Sequence, residues 1–146
     1  MKQNIDIQYV CPCIKWIGSK LLQTKIIIPK ILHSLREKKV FIEPFIGGGA
    51  IIIELLKQCY MNDINNVSFY CSDINNIIIE MFNQIKNNPK KQIEVLIEVK
   101  SKDNEEDYNR FRQEYIICPN VPQFIYHNNT CFRGLFKVNR NINFNS

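Results

Sequence analysis

The chain has no unbroken apolar run of roughly 18 residues, the length a helix needs to cross a bilayer, and residues 1–9 hold no apolar core of a secretory leader. Both absences argue against membrane spanning and secretion. It also lacks a CxxC pair: of its six cysteines, Cys11, Cys13, Cys59, Cys71, Cys118 and Cys131, only the first two are close in sequence, so no metal site is expected. Reduced thiols and an intracellular, cytoplasmic location are expected instead, or the host cytoplasm or nucleus if the source is viral. The triplet Asn128-Asn129-Thr130 fits the N-glycosylation pattern, but without a secretory route it reads as a chance match. Glycine is scarce, five in 146 residues, and three of the five are consecutive at Gly47-Gly48-Gly49. No GxGxxG fingerprint is formed, which makes a dinucleotide less natural than a nucleoside cofactor without a pyrophosphate.

What is present suits one folding domain. At 45% hydrophobic and 23% charged, the composition is that of a globular chain able to bury a core. Lys and Arg number 19 against 14 acids, a net charge of +5 that favours a polyanionic partner if gathered on one face. Scattered lysines on a soluble protein would give the same total.

The pattern of apolar residues predicts a βαβα unit. Residues 11–20 read as a loop, followed by helical spacing of Leu21, Leu22, Ile26, Ile27, Ile31, Leu32 and Leu35, with Pro29 expected to kink or restart that helix. Residues 40–45 form a short strand-like run ended by the three glycines, and residues 50–58 resume a helical pattern. A turn at residues 61–66, a strand at 67–71 and a helix at 75–88 complete the unit, with Ile77, Ile78, Met81, Phe82 and Ile85 on one helical face. Parallel pairing of these strands requires a crossover and directs ligands to their carboxyl ends. Beyond Pro89, helices are expected around Ile93, Leu96 and Ile97, around Tyr108, Phe111, Arg112 and Tyr115, and over 121–130, with a hairpin over 131–146. No third strand is evident between them.

A glycine turn joining strand to helix lets a ligand approach the backbone and the helix N-terminus, although such turns also serve structure alone. Asp73, at the end of the next strand, can accept hydrogen bonds from both hydroxyls of a ribose; capping the following helix beside Asn75 is the alternative. The cofactor this combination suggests is S-adenosyl-L-methionine.

Four ordered motifs carry a resemblance. Lys15-Trp16-Ile17-Gly18-Ser19-Lys20 is similar to the KWxGGK motif of Dam-type (D12 class) DNA adenine-N6 methyltransferases, residues 43–50 (EPFIGGGA) to their EPFxGGGA loop, and residues 72–75 (SDIN) to their (N/S/A)DxN motif. Residues 126–140 resemble the stretch YLNRTCFNGLYRVN, and Phe144-Asn145 its FNVP continuation. The resemblance implies an α/β, Rossmann-like, AdoMet-dependent methyltransferase fold, incomplete at its C-terminus, with a helical and hairpin DNA-recognition segment. Residues 1–88 would form the cofactor-binding part and 89–146 the helical segment and the start of target recognition. It further implies that Trp16, Lys20, Glu43, Pro44, Phe45, Gly47, Gly48, Gly49 and Asp73 bind S-adenosyl-L-methionine, and that Arg133, Leu135, Lys137, Asn139 and Arg140 meet double-stranded DNA.

Three departures accompany it: Ser19 stands where the family has glycine, His127-Asn128-Asn129 replaces LNR and so lacks an arginine, and the spacing from Gly49 to Asp73 is longer, with the extra residues expected in the 61–66 turn. The family's Asp-Pro-Pro-Tyr tetrapeptide, which holds the flipped adenine, is missing from these 146 residues, so no catalytic residue is assigned. The expected chain is therefore a truncated or split adenine-specific methyltransferase with apolar surface bare at an unfinished sheet edge, the split form being completed by a second polypeptide. The alternative is a non-catalytic DNA-binding or partner module that retains the fold.

Overall fold

A computed structural model of the chain describes residues 10–101 and 104–131. They divide into two compact units: one contains Gly18–Ile74 with residues 10–13, the other Ile14–Ile17 with the described residues from Asn75 onward.

In the first unit a 3-10 turn, Leu21–Gln23, leads into α1 (Thr24–Lys38), then β1 (Val40–Glu43), α2 (Ala50–Met61) and β2 (Ser68–Cys71). Pro29 lies inside α1, and the helix does not restart there; the break comes earlier, at the 3-10 turn. Proline near the start of a helix forfeits only one backbone bond, and the buried Ile28 and Leu35 on either side hold α1 to its neighbours. Lys39 ends α1 in the left-handed conformation (φ 56°), and its carbonyl accepts from Ser68 N at 2.9 Å.

β1 and β2 pair in parallel, with α2 as the crossover between them. Alternation of side chains sends Phe41 and Phe69 to one face, where their rings meet at 6.2 Å beside a core of Ile28, Leu35, Leu55 and Cys59. The other face is bare: Val40, Ile42 and Tyr70 are 48%, 67% and 61% exposed. A sheet of this kind is normally covered on both faces. The turn after α2 uses two non-glycine residues in the left-handed region, Asp63 and Asn66.

The second unit is helical: α3 (Asn76–Asn87), α4 (Pro89–Ser101), α5 (Glu105–Ile117) and α6 (Val121–Thr130). α3 buries Ile78 and Met81, as its spacing predicts. α4 turns inward with Gln92, Val95 and Val99, leaving Ile93 and Ile97 57% and 65% exposed. Apolar residues surround that helix, so its sequence defines no unique stripe and packing selects one. α6 is the most buried element: Val121, Phe124, Ile125 and Asn128, at helical spacing i, i+3, i+4 and i+7, are all inside.

A mixture of helices and a small parallel sheet is compatible with the α/β methyltransferase class. The expected hairpin, with Arg133, Leu135, Lys137, Asn139 and Arg140, lies outside the described residues. Among those described, no helix is long and apolar enough to cross a membrane, and no cluster of His, Cys, Asp or Glu is suited to a metal. No disulfide links the six cysteines.

Candidate functional site

Because β1 and β2 are parallel and paired from Val40↔Ser68 to Glu43↔Cys71, the loops that leave them emerge at one end of the sheet. These loops are knitted together. Ser72 N donates to Glu43 O at 2.9 Å, Ile46 N to Ser72 O at 3.0 Å, and the Ser72 hydroxyl to Pro44 O at 3.2 Å. Asp73 is thereby set against the glycine turn, and Gly47 N donates to its carboxylate at 2.9 Å.

Gly47 and Gly49 have φ of +48° and +78°, where an L side chain is strained. Gly49 is also the N-cap of α2, so the turn and the helix start are one structure. The three glycines are buried, whereas Pro44 is exposed and Phe45 is 82% exposed, a bare aromatic ring on the turn. The capping alternative for Asp73 is excluded by its neighbour: Asn75 caps α3, its side chain accepting from Ile77 N at 3.3 Å.

Glu43 closes β1. Its carboxyl accepts a backbone hydrogen bond from Ile52 in the first turn of α2, yet its Oε2 is buried without a hydrogen-bond partner. Burial outweighs that single bond and pushes the Glu43 pKa up to about 7. The same burial, with Glu43 nearby, raises the Cys71 thiol.

The KWxGGK-like segment is divided. Lys20 belongs to the first unit, is exposed, and donates from Nζ to Gly18 O at 3.2 Å. Gly18 has φ +77°, and a Cβ there would meet nothing within 4 Å, so glycine serves the backbone conformation and not a crowded contact. The Ser19 hydroxyl accepts from Leu21 N at 3.4 Å, supporting the 3-10 turn. Trp16 belongs to the second unit, half-buried, with its ring edge-on to Phe124 at 6.5 Å and 64°.

One residue was assigned no role from the sequence. Asn128, fully buried on α6, takes Lys15 N at 2.7 Å on its Oδ1 and gives its Nδ2 to Lys15 O at 2.8 Å. No local pattern signals a contact across 113 positions. The bond also places the acceptor nitrogen of the Asn128-Asn129-Thr130 triplet out of reach in the folded chain. His127 beside it is enclosed by the rings of Tyr108, Tyr115 and Tyr126 at 5.3, 5.9 and 5.3 Å. Burial lowers its pKa, and burial pushes that of Tyr115 up to about 12. The second unit also has an open cleft of about 780 Å³ between α3, α4 and the start of α6, lined by none of the residues assigned from the sequence.

Comparison with known proteins gives a consistent result. The profile of the D12 class N6 adenine-specific DNA methyltransferases matches residues 16–146. The type II methyltransferase M.MjaIII of Methanocaldococcus jannaschii is 33% identical over 153 aligned residues, covering 93% of this chain and 51% of that protein. M1.LlaDCHI of Lactococcus lactis subsp. cremoris, another type II methyltransferase, is 29% identical over 99% of the chain and 48% of its own length. A DNA adenine methylase of Vibrio cholerae is 25% identical over 90% of the chain and 45% of its own. The chain thus spans about half the length of the curated relatives it matches.

Proposed function

The chain belongs to the D12 class of N6 adenine-specific DNA methyltransferases, and on that premise we propose that it forms the cofactor-binding part of a site-specific enzyme that methylates N6 of adenine in double-stranded DNA. The observation that carries the reading is the bond from Gly47 N to the Asp73 carboxylate, which joins the glycine turn and the acid at the carboxyl ends of two parallel strands.

The residues fit S-adenosyl-L-methionine. The buried, unpartnered Oε2 of Glu43 suits a cationic or hydrogen-bond-donating group, and burying it unsatisfied is costly otherwise. Asp73 would hold the ribose hydroxyls, and Gly47, Gly48 and Gly49 would present bare backbone beneath the nucleoside. Pro44 and Phe45 would border it. Trp16 and Lys20 would receive the methionine end or the rings, an indole offering a stacking face and an ammonium a charge for a carboxylate. When bound, the cofactor supplies an electrophilic methyl group on sulfur.

Residues 1–88 would do this work, while residues 89–146 carry helices and the start of target recognition. Arg133 and Arg140 would contact phosphates, and Leu135, Lys137 and Asn139 would lie at bases. Adenine's amino lone pair is delocalised into the ring, and the tetrapeptide that would localise it is not among these residues. We therefore propose that transfer needs further residues, supplied by the rest of a longer protein or by a second polypeptide that also covers Val40, Ile42 and Tyr70 on the bare sheet face. The missing tetrapeptide also leaves a second reading, a DNA-binding or partner module without chemistry.

The test is tritiated methyl transfer from S-adenosylmethionine to unmethylated duplex DNA, by the chain alone and with the product of any reading frame that follows it. Transfer only with the second product is expected. Transfer by the chain alone would refute the need for further residues, and no transfer with a folded partner would favour the module.

A further inference from the structure

We propose that Asn128 is a positioning residue for Trp16, so that α6 sets cofactor affinity; the proposal rests on the reading of Trp16 as a cofactor-binding residue. An asparagine amide carries one acceptor and a donor pair, and the backbone of one residue presents the complementary donor and acceptor. Asn128 satisfies Lys15 in this way from both sides, at 2.7 and 2.8 Å, with none of its own surface exposed. The backbone immediately before Trp16 is therefore fixed, while the Lys15 side chain remains at the surface.

The same helix also touches the indole. Phe124, one turn before Asn128 and fully buried, meets the Trp16 ring edge-on. α6 is itself pinned by Val121 and His127, both with no exposed surface, and by the rings around His127. A polar residue at the i+7 position of a buried stripe is costly unless both ends of its amide are matched. Here both are matched by the one residue that precedes the tryptophan.

A role confined to stability predicts a different result from a positioning role. Trp16 is the only tryptophan, so its emission and anisotropy report its placement without background. The Asn128→Ala chain should show red-shifted, more mobile Trp16 emission and bind S-adenosylhomocysteine about tenfold more weakly than wild type, the scale of one lost hydrogen bond. The Val99→Ala chain, which weakens the core of the same unit without touching Trp16, should keep the wild-type emission and affinity. Equal affinity of the two variants, with wild-type emission in both, would overturn the proposal. If Asn128→Ala does not fold, hydrogen exchange of the Lys15 amide in the wild-type chain decides: protection supports the clamp and its lack refutes it. If the wild-type chain does not bind S-adenosylhomocysteine, the proposed function fails, and the emission comparison alone judges whether Asn128 positions Trp16.

Discussion

Two segments that we propose meet the cofactor are held by opposite means. The Gly47–Gly49 turn is shaped by its own backbone and by a carboxylate 26 residues away, on a loop the parallel register brings alongside. The Lys15–Trp16 segment is held from α6, by the Asn128 amide 113 residues away and by the Phe124 ring against the indole, with no regular element of its own. The first arrangement joins two loops at one end of a strand pair; the second depends on the packing of a distant helix.

That contrast can be tested most severely at Phe124. Its truncation to alanine removes a fully buried ring and should cost about 3–5 kcal/mol, seen in urea unfolding followed by Trp16 emission. A loss confined to the second unit, with the turn still able to bind cofactor weakly, would show that the two segments are independent. Simultaneous loss of both would show that they are coupled.

Next in size is Gly49→Ala, which forces a side chain into φ +78° and should cost about 1–2 kcal/mol in thermal stability. Gly48 is not among the glycines with positive φ, so Gly48→Ala adds no cost of backbone strain. If it still weakens S-adenosylhomocysteine binding, the central glycine is required by the ligand's approach and not by the backbone.

A further effect is a pH dependence. Glu43 titrates at about 7 when folded against 4.5 as a free group, so the folded state holds the proton more tightly. Its contribution is complete below pH 4.5 and is lost as pH rises through about 7. Glu43→Gln should therefore flatten the melting temperature between those values. A steeper decline in the variant would show that Glu43 is not the group responsible.

The first of the two arrangements was legible in the sequence. A short apolar run, three glycines and a second run ending at Asp73 prescribe strand, turn, helix and strand, because the periods of two and 3.6 residues differ. The parallel register then follows, with Asp73 at the same end as the turn. The inward face of α4 was not legible, since Val95, Leu96, Ile97 and Val99 offer more than one stripe and only packing chooses Gln92, Val95 and Val99. Nor was the partner of Asn128, the residue that matches the asparagine of the family's LNR between the departures His127 and Asn129. Its partner is a backbone pair, and backbone leaves no trace in residue identity.

The reach from Lys15 to Asn128 has a further consequence during synthesis. The ribosome releases Lys15 and Trp16 early, but their anchor emerges only when α6 has been translated. The closure spans most of the chain, and each doubling of such a span adds only about 0.6 kcal/mol of entropy cost, so the penalty is chiefly one of time. Nascent chains halted before residue 128 would display the backbone of Lys15 and Trp16 without its anchor.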